Sequence, residues 1–409
     1  MARGVFVLGG AQTDFSRHLA REGIGIDAIV GEIIDTTLAA AVLDVRAIEA
    51  IHVGNAFGEL FTGQAQLGAM PATARPALWG IPASRHEAAC ASGTVAVLAA
   101  MADIEAGRYD CVLVLGVEQE RNVPGELAAR NLGAAAWVGH EGETARYLWP
   151  HMFSRIGDAY AERWGLRAEH LSAIANKNLR NARDNPLAQT RTWSWDATTF
   201  ADTTANPPVE GRLRRYDCAQ VTDGAAAVVL GSDAFAAAHA RQTGVRAARI
   251  SGWGHRTAAL GLDAKLARTS GPTQPLLPHL RDTVTDALRR AELPGVLALD
   301  GIEVHDCFTV TEYLAIDHLG ITAPGESWKT IESGMHERTG ELPINPSGGL
   351  IGGGHPVGAT GVRMLVDAAH QVTGAAGECQ IEGATTFGLL NIGGSGTTAV
   401  CLVVQGSAR

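Results

Sequence analysis

Aromatic residues are scarce in this chain, 5% of the total, while glycine is abundant at 49 residues. So few rings argue against a stacking platform for nucleic acid and favour helices packed closely on sheets through small side chains. Basic residues are outnumbered, 33 Lys and Arg against 43 Asp and Glu, for a formal net charge of -10. That balance opposes general binding to nucleic acid or to anionic membranes, and leaves room only for a local basic pocket. No apolar run reaches the length of a membrane span. The six cysteines (Cys90, Cys111, Cys218, Cys307, Cys379 and Cys401) contain no C-x-x-C pair. Neither a disulfide framework nor a zinc site is expected, and no metal is assigned. The opening MARGVFVLGGAQTDF enters a strand without a long apolar targeting segment, so a cytoplasmic setting is the expectation.

What the chain does have is alternation. Short β-rich runs recur at 5–10, 50–55, 111–118 and 225–232, then at 248–254, 301–308, 387–394 and 398–404. Ala-rich stretches of helical periodicity lie between them, as in IDAIVGEIIDTTLAAAVL (26–43) and LRDTVTDALRRAEL (280–293). This predicts an α/β fold of sheets flanked by helices. The two sets of strands follow a similar order, which predicts a structural duplication. Residues 122–216 break the pattern, being rich in Trp and Arg and poor in strand signals. The expected organisation is an N-terminal half (1–121 and 217–244), an inserted region (122–216) and a C-terminal half (245–409). A long insertion in a compact domain is commonly a binding segment or lid, and a solvent-facing decoration is the competing reading.

Four stretches could carry chemistry. In HEAACASGTVAVLAAM (86–101), Cys90 precedes a predicted helix, whose positive end and unpaired N–H groups are expected to favour a thiolate nucleophile. A buried structural cysteine is the competing reading. In NPSGGLIGGGHPVGATGVRML (345–365), five glycines are expected to form a loop that is neither ordinary helix nor strand. That loop delivers His355, followed by Pro356, to the start of another helix, a suitable place for a general base. EVHDCFT (303–309) sets His305, Asp306 and Cys307 side by side at a strand end. Adjacent strand residues point to opposite faces, so a metal site there is poor physics and a catalytic loop is better. In GLLNIGGSGTTAV (388–400), Gly393 and Gly394 would let backbone N–H groups approach an oxyanion.

Together these motifs resemble the thiolase superfamily, most closely its sterol-carrier-protein X type, along nearly the whole chain. NPSGGLIGGGHPVGATGVRML resembles the family's GHP signature, HEAACASGT its C-x-S nucleophile loop, and RRYDCAQVTDGAAAVVLGS (214–232) the strand returning from its loop domain. Most thiolases carry N-E-A-F where this chain has His305-Asp306-Cys307-Phe308, and C-x-G where it has Asn391-Ile392-Gly393. The H-D-C-F form implies that Cys307 substitutes for the cysteine missing from the last loop. Ser395 and the run Gly352-Gly353-Gly354 depart from the family pattern.

The resemblance implies a thiolase fold, with duplicated αβαβα layered halves and an inserted loop domain. It implies reversible Claisen chemistry on coenzyme A thioesters, which are substrates, with no bound cofactor. Cys90 would form the acyl-enzyme, His355 take its proton, and Cys307 serve as acid/base, with Asp306 a support. One oxyanion hole would comprise His355 and a water held by His305, and the other the backbone N–H groups of Cys90 and Gly393. Ser251 would contact pantetheine, and Met152 and Phe153 would line the acyl pocket. A homodimer or larger homo-oligomer is implied, and an accessory protein subunit is an open alternative. Two other activities stay open: acyl transfer to a non-CoA acceptor, and a retro-aldolase or scaffold role.

Overall fold

The computed structural model describes residues 3–196, 198–201, 204–269, 271 and 273–406. They form eleven strands: β1 (Val5–Gln12), β2 (Ala50–Gly54), β3 (Ala83–His86), β4 (Cys111–Glu118), β5 (Pro208–Glu210), β6 (Leu213–Arg214), β7 (Gly224–Ser232), β8 (Ala248–Thr257), β9 (Gly301–Val304), β10 (Thr386–Gly393) and β11 (Thr398–Gln405). All eight expected strands are present. Two features lack a sequence signal: β3, whose residues do not alternate cleanly, and the short β5–β6 hairpin.

Nine strands make one mixed sheet in the order β3-β2-β4-β7-β1-β8-β11-β10-β9. Its two halves repeat one wiring. The first strand pairs antiparallel with the last (β1 with β7, β8 with β11), and that strand pairs antiparallel with the next outward (β4, β10). A parallel neighbour follows in each half (β2, β9). The halves join where Val5–Val7 of β1 meets Ala248–Ile250 of β8.

Side-chain alternation along these strands builds the layers. On β4, Val112 and Val114 face a core shared with Ala96, Val97, Val362 and Leu365, while Leu113 and Leu115 face another with Ile29 and Ile33. On β10, Leu389 faces the first of these cores, whereas Leu390 and Ile392 face a third with Leu280 and Val284. Two helices, Ser92–Glu105 and Val357–Thr373, are therefore held between the half-sheets, with outer helices such as Ile26–Ala40 and Pro278–Arg290 beyond. The central helices meet at backbone contact. A Cβ on Gly93 would lie 2.8 Å from the Gly358 carbonyl, and one on Gly116 of β4 only 2.2 Å from it.

The segment between β4 and β7 contains the helices Gly125–Leu132, Leu148–Trp164 and Ala168–Ala182. Met152, Ile156, Tyr160 and Ile174 share one core with Leu280, Val304 and Tyr313, so these helices are rooted in the second half. Within that interface, Lys177 pairs with Glu312, both buried, and its Nζ also donates to the Ile344 carbonyl at 2.8 Å. One expectation needs correction: the glycine run is not all loop. Gly349–Gly353 forms a short helix, flanked by Gly348 (φ 103) and Gly354 (φ 110). The Asp306 carboxylate accepts the N–H groups of Leu350 (2.6 Å) and Ile351 (3.2 Å), which caps that turn.

Removing one member of a buried pair leaves the other charge uncompensated. Lys177→Met is expected to destabilise the protein by about 3–5 kcal/mol in urea unfolding. A loss under about 1 kcal/mol would show that the pair does not anchor the inserted helices.

Candidate active site

The nucleophile loop is a tight turn. Ala89 is a non-glycine residue at φ 51, and Ala91 N–H and Ser92 N–H donate to the carbonyls of Ala88 (3.0 Å) and Ala89 (3.1 Å). The Ser92 hydroxyl donates to Ala89 O (2.6 Å) and accepts from Ala88 N–H (2.9 Å), locking Cys90 ahead of the helix. A backbone held in this sparsely populated region is a cost that the surrounding bonds must hold in place.

His355 arrives from the opposite side. Gly354 ends the short helix, and the His355 backbone N–H donates to Thr222 Oγ1 at 2.8 Å. Thr360 Oγ1 donates to Pro356 O (2.9 Å) and lies 2.7 Å from His355 Nδ1. With that hydroxyl proton committed, Nδ1 carries the ring proton and Nε2 is left as an acceptor. The loop after β9 distributes three side chains as alternation predicts. His305 reaches His355, with ring centroids 5.1 Å apart at 81°, Asp306 caps the glycine helix, and Cys307 faces the cavity. Asn391 Nδ2 lies 3.1 Å from His305 Nδ1, and Asn391 Oδ1 accepts from Thr94 Oγ1 at 2.8 Å.

The ligand atoms of Cys90, His305 and His355 all lie within 4.8 Å of one another. Three such atoms could hold a soft cation, which would itself draw the proton from the thiol. Here burial above all pushes the Cys90 thiol up to about 12, against donation from the Gly394 N–H. This corrects the expectation of a thiolate set by the helix end: the thiol sits against apolar walls, and desolvation outweighs the dipole. Both imidazoles are neutral. Burial, then Arg363, hold His355 down to about 3, and burial, then His355, hold His305 well below its ordinary value. Burial also raises Cys307 well above the usual thiol range. The arrangement thus pairs a neutral thiol with a neutral base, the starting state for proton transfer during attack.

Cys90, Cys307 and His355 line a cavity of about 310 Å³, together with Glu120, Phe153, Phe308 and the segment Cys218–Val221. A second cavity of about 680 Å³ shares Phe57, Ala89, Ala135 and Gly394 with it and passes Glu59, Glu87, His255 and Thr257. Phe153 lines the first cavity, with its ring 4.9 Å from that of Phe308. Met152 does not line the cavity; it is fully buried one position along the helix, facing the core. Nor is Ser251 brought to either cavity. Its hydroxyl donates to Val403 O (3.3 Å) in the middle of the sheet, and it is His255 and Thr257, further along β8, that reach the outer cavity. The backbone N–H aimed at the Cys90 sulfur is that of Gly394, one residue past the expected Gly393. Gly393 serves closeness instead, since a Cβ there would lie 2.2 Å from Ala88 O. The unusual Ser395 accepts from buried Lys265 Nζ at 2.7 Å. Sequence reading missed Glu120 and the positions of Thr360 and Asn391. Only the pair of glutamates in GVEQE, directly after the apolar run of β4, hinted at the first.

The fold and site define a class: a layered α/β protein whose central helices bring a cysteine and a histidine to one cavity. The thiolase N-terminal domain family matches residues 5–193, and the thiolase C-terminal domain-like family matches residues 268–406. An acetyl-CoA acetyltransferase of Methanothermobacter thermautotrophicus is 32% identical over 401 residues, 97% of this chain and 98% of its own. Sterol carrier protein 2 of Homo sapiens is 29% identical over 427 residues, covering 99% of this chain and 72% of its own. In fold, the chain is similar to the solved Ltp2-ChsH2(DUF35) aldolase, with a TM-score of 0.80, 21% identity, and 99% and 98% of the two chains covered. This chain belongs to the thiolase family. No helix among the described residues is long and apolar enough to cross a membrane.

A raised thiol pKa means that thiolate appears only as pH rises. The ultraviolet thiolate absorbance lost in Cys90→Ala is expected to be absent near pH 8 and to grow only above about pH 10. A transition near neutrality would overturn the assignment of a neutral resting thiol.

Proposed function

We propose that the protein is a thiolase-type acyltransferase that reversibly cleaves 3-oxoacyl-CoA with CoA, through an acyl thioester on Cys90. The observation that carries this reading is the convergence of Cys90, His305 and His355 within 4.8 Å on the cavity that Cys307 also lines. In the cleavage direction Cys90 attacks the 3-oxo carbonyl, and its proton passes to His355 Nε2. The bond between the second and third carbons breaks, leaving the acyl group on Cys90 and an acetyl-CoA enolate. The His355 imidazolium, with a water held by His305, stabilises the enolate oxygen, and Cys307 delivers a proton to the enolate carbon. Incoming CoA then gives its thiol proton to the Cys307 thiolate and attacks the acyl group. Cys90 departs as thiolate and recovers its proton from His355. The N–H groups of Cys90 and Gly394 are suited to hold the tetrahedral oxyanions, in place of the expected pair with Gly393.

Neutral thiols and imidazoles make this sequence workable without a prior charge separation in an apolar cavity. A second reading has an observation in its favour. Among the described residues, the outer cavity is lined by Glu59 and Glu87 and by no Lys or Arg, and Arg85 beside it is paired with Glu59. Acyl transfer to a phosphate-free acceptor, or an accessory subunit that supplies the cations, fits that lining. A homo-oligomer is proposed on family grounds.

Acetoacetyl-CoA with free CoA is expected to give acetyl-CoA, measured by loss of the 3-oxo thioester. Cys307→Ala should keep a Cys90 acyl adduct visible by mass spectrometry while slowing carbon–carbon cleavage by about 10²–10⁴-fold. Full thiolysis in that variant would remove Cys307 from the acid/base role. Because His355 is held neutral down to about 3, Cys90 acylation should not fall as pH drops from about 8 to about 5. A loss centred near the ordinary histidine value would move the base elsewhere.

A further inference from the structure

Glu120 takes no part in the steps above, yet its carboxyl lines the reactive cavity beside Cys90 and is 1% exposed. Its neighbour Glu118 shows what a purely structural carboxylate looks like here. Glu118 Oε1 accepts from Asn55 Nδ2 (2.8 Å) and Phe57 N–H (3.0 Å), and Oε2 accepts from Ala56 N–H (3.0 Å) and Gly358 N–H (2.9 Å). Both of its oxygens are committed, and it ties β2, β4 and the second central helix together.

Glu120 differs on each count. Its side chain accepts only from backbone N–H groups, those of Val357 (Oε1, 3.3 Å) and Thr222, and no Lys or Arg pairs with it among the described residues. Burial first, then repulsion from the nearby carboxyl groups of Glu118 and Asp223, holds the Glu120 carboxyl well above its ordinary range and favours its protonated form. A protonated carboxyl has one O–H to donate. Both of its partners among the described residues are donors, so none of them accepts that proton. A buried donor left unmatched is costly when apolar matter fills the cavity around it. The rest of the nearby wall is largely apolar, formed by Phe57, Leu132, Trp149, Phe153 and Phe308.

We propose that Glu120 donates a hydrogen bond to the acyl group carried on Cys90, and that the acyl groups this site takes bear an oxygen acceptor on the chain retained by the enzyme. The substrate class is thus oxygenated acyl thioesters, such as hydroxyacyl or oxoacyl chains, rather than plain alkyl ones. This rests on the acyl-thioester reading of Cys90 and adds a specificity determinant to it.

The test loads Cys90 in single turnovers with butyryl-CoA, 3-hydroxybutyryl-CoA and 4-hydroxybutyryl-CoA, followed by intact-protein mass spectrometry. At least one hydroxyacyl group should load about tenfold faster than butyryl, the scale of one well-made hydrogen bond. Glu120→Met should erase that preference, and Glu120→Gln, which keeps a donor, should retain most of it. Equal loading of all three in the parent protein overturns the inference, as does an unchanged preference in a folded Glu120→Met. Thermal melting separates a structural role. Removing an unpaired buried carboxyl should leave Tm at or above the parent's, whereas a lowered Tm with unchanged preference assigns Glu120 to packing alone. If none of the three thioesters loads Cys90, the acyl-thioester reading itself fails and this inference falls with it.

Discussion

The backbone contact between the two central helices is the constraint on which the rest depends. Gly93, Gly116 and Gly358 meet with no room for a Cβ, so the helix that begins after Cys90 and the helix that begins after His355 cross with their starts together. The four bonds to Glu118 fasten this junction, since they bind Asn55, Ala56 and Phe57, which follow β2, and the first turn of the second helix to one carboxyl group. Helices held apart by ordinary side chains lie about 8–10 Å from axis to axis. Closer approach brings a thiol and an imidazole, 265 residues apart in sequence by their numbering (355 minus 90), within reach of each other.

Closeness of that kind also sets the electrostatics. The junction is dry, and dryness favours neutral forms, so the cysteines stay thiols and the histidines stay unprotonated. The charged groups that remain are arranged one layer back. Arg363 contacts Glu303, Asp367 and Ser347, while Asp306 spends its oxygens on the glycine helix and on Asn178 of the inserted segment. Asn178 and Lys177 also hold Glu312, so the inserted helices, the H-D-C-F loop and the histidine-bearing turn form one hydrogen-bonded body. Rigid support of this sort is what fixed, preorganised catalytic geometry requires.

Strands were legible wherever β-branched or leucine-rich runs are long enough to cross the sheet, as in CVLVLGVE and TAVCLVV. The strand β3, ASRH, carried no such signal, because its place at the sheet edge leaves its side chains exposed. Cys90 and His355 stood out as candidates because small residues and glycines surround them, whereas His305 and Cys307 were picked out by the resemblance of His305-Asp306-Cys307-Phe308 to a family motif. The reading failed where position depends on which way a helix or strand faces. Met152 and Phe153 are neighbours in sequence, but only one faces the cavity, and Ser251 lies too far back along β8. Glycine content suggested a loop at 348–354, and it took the Asp306 carboxylate to cap part of it as a helix.

By itself, the sequence determined the family, the alternation of strands and helices, and the candidate reactive side chains. These follow from local periodicity and from residue types that tolerate few substitutes, such as a glycine turn ahead of His355. Tertiary structure alone decided the neutral forms that burial favours in those side chains, which backbone N–H faces the Cys90 sulfur, and the place of Glu120 on the cavity wall. The physical reason is that each depends on what lies across the junction: desolvation, a facing backbone N–H and a missing cation are properties of neighbours that the linear order does not contain.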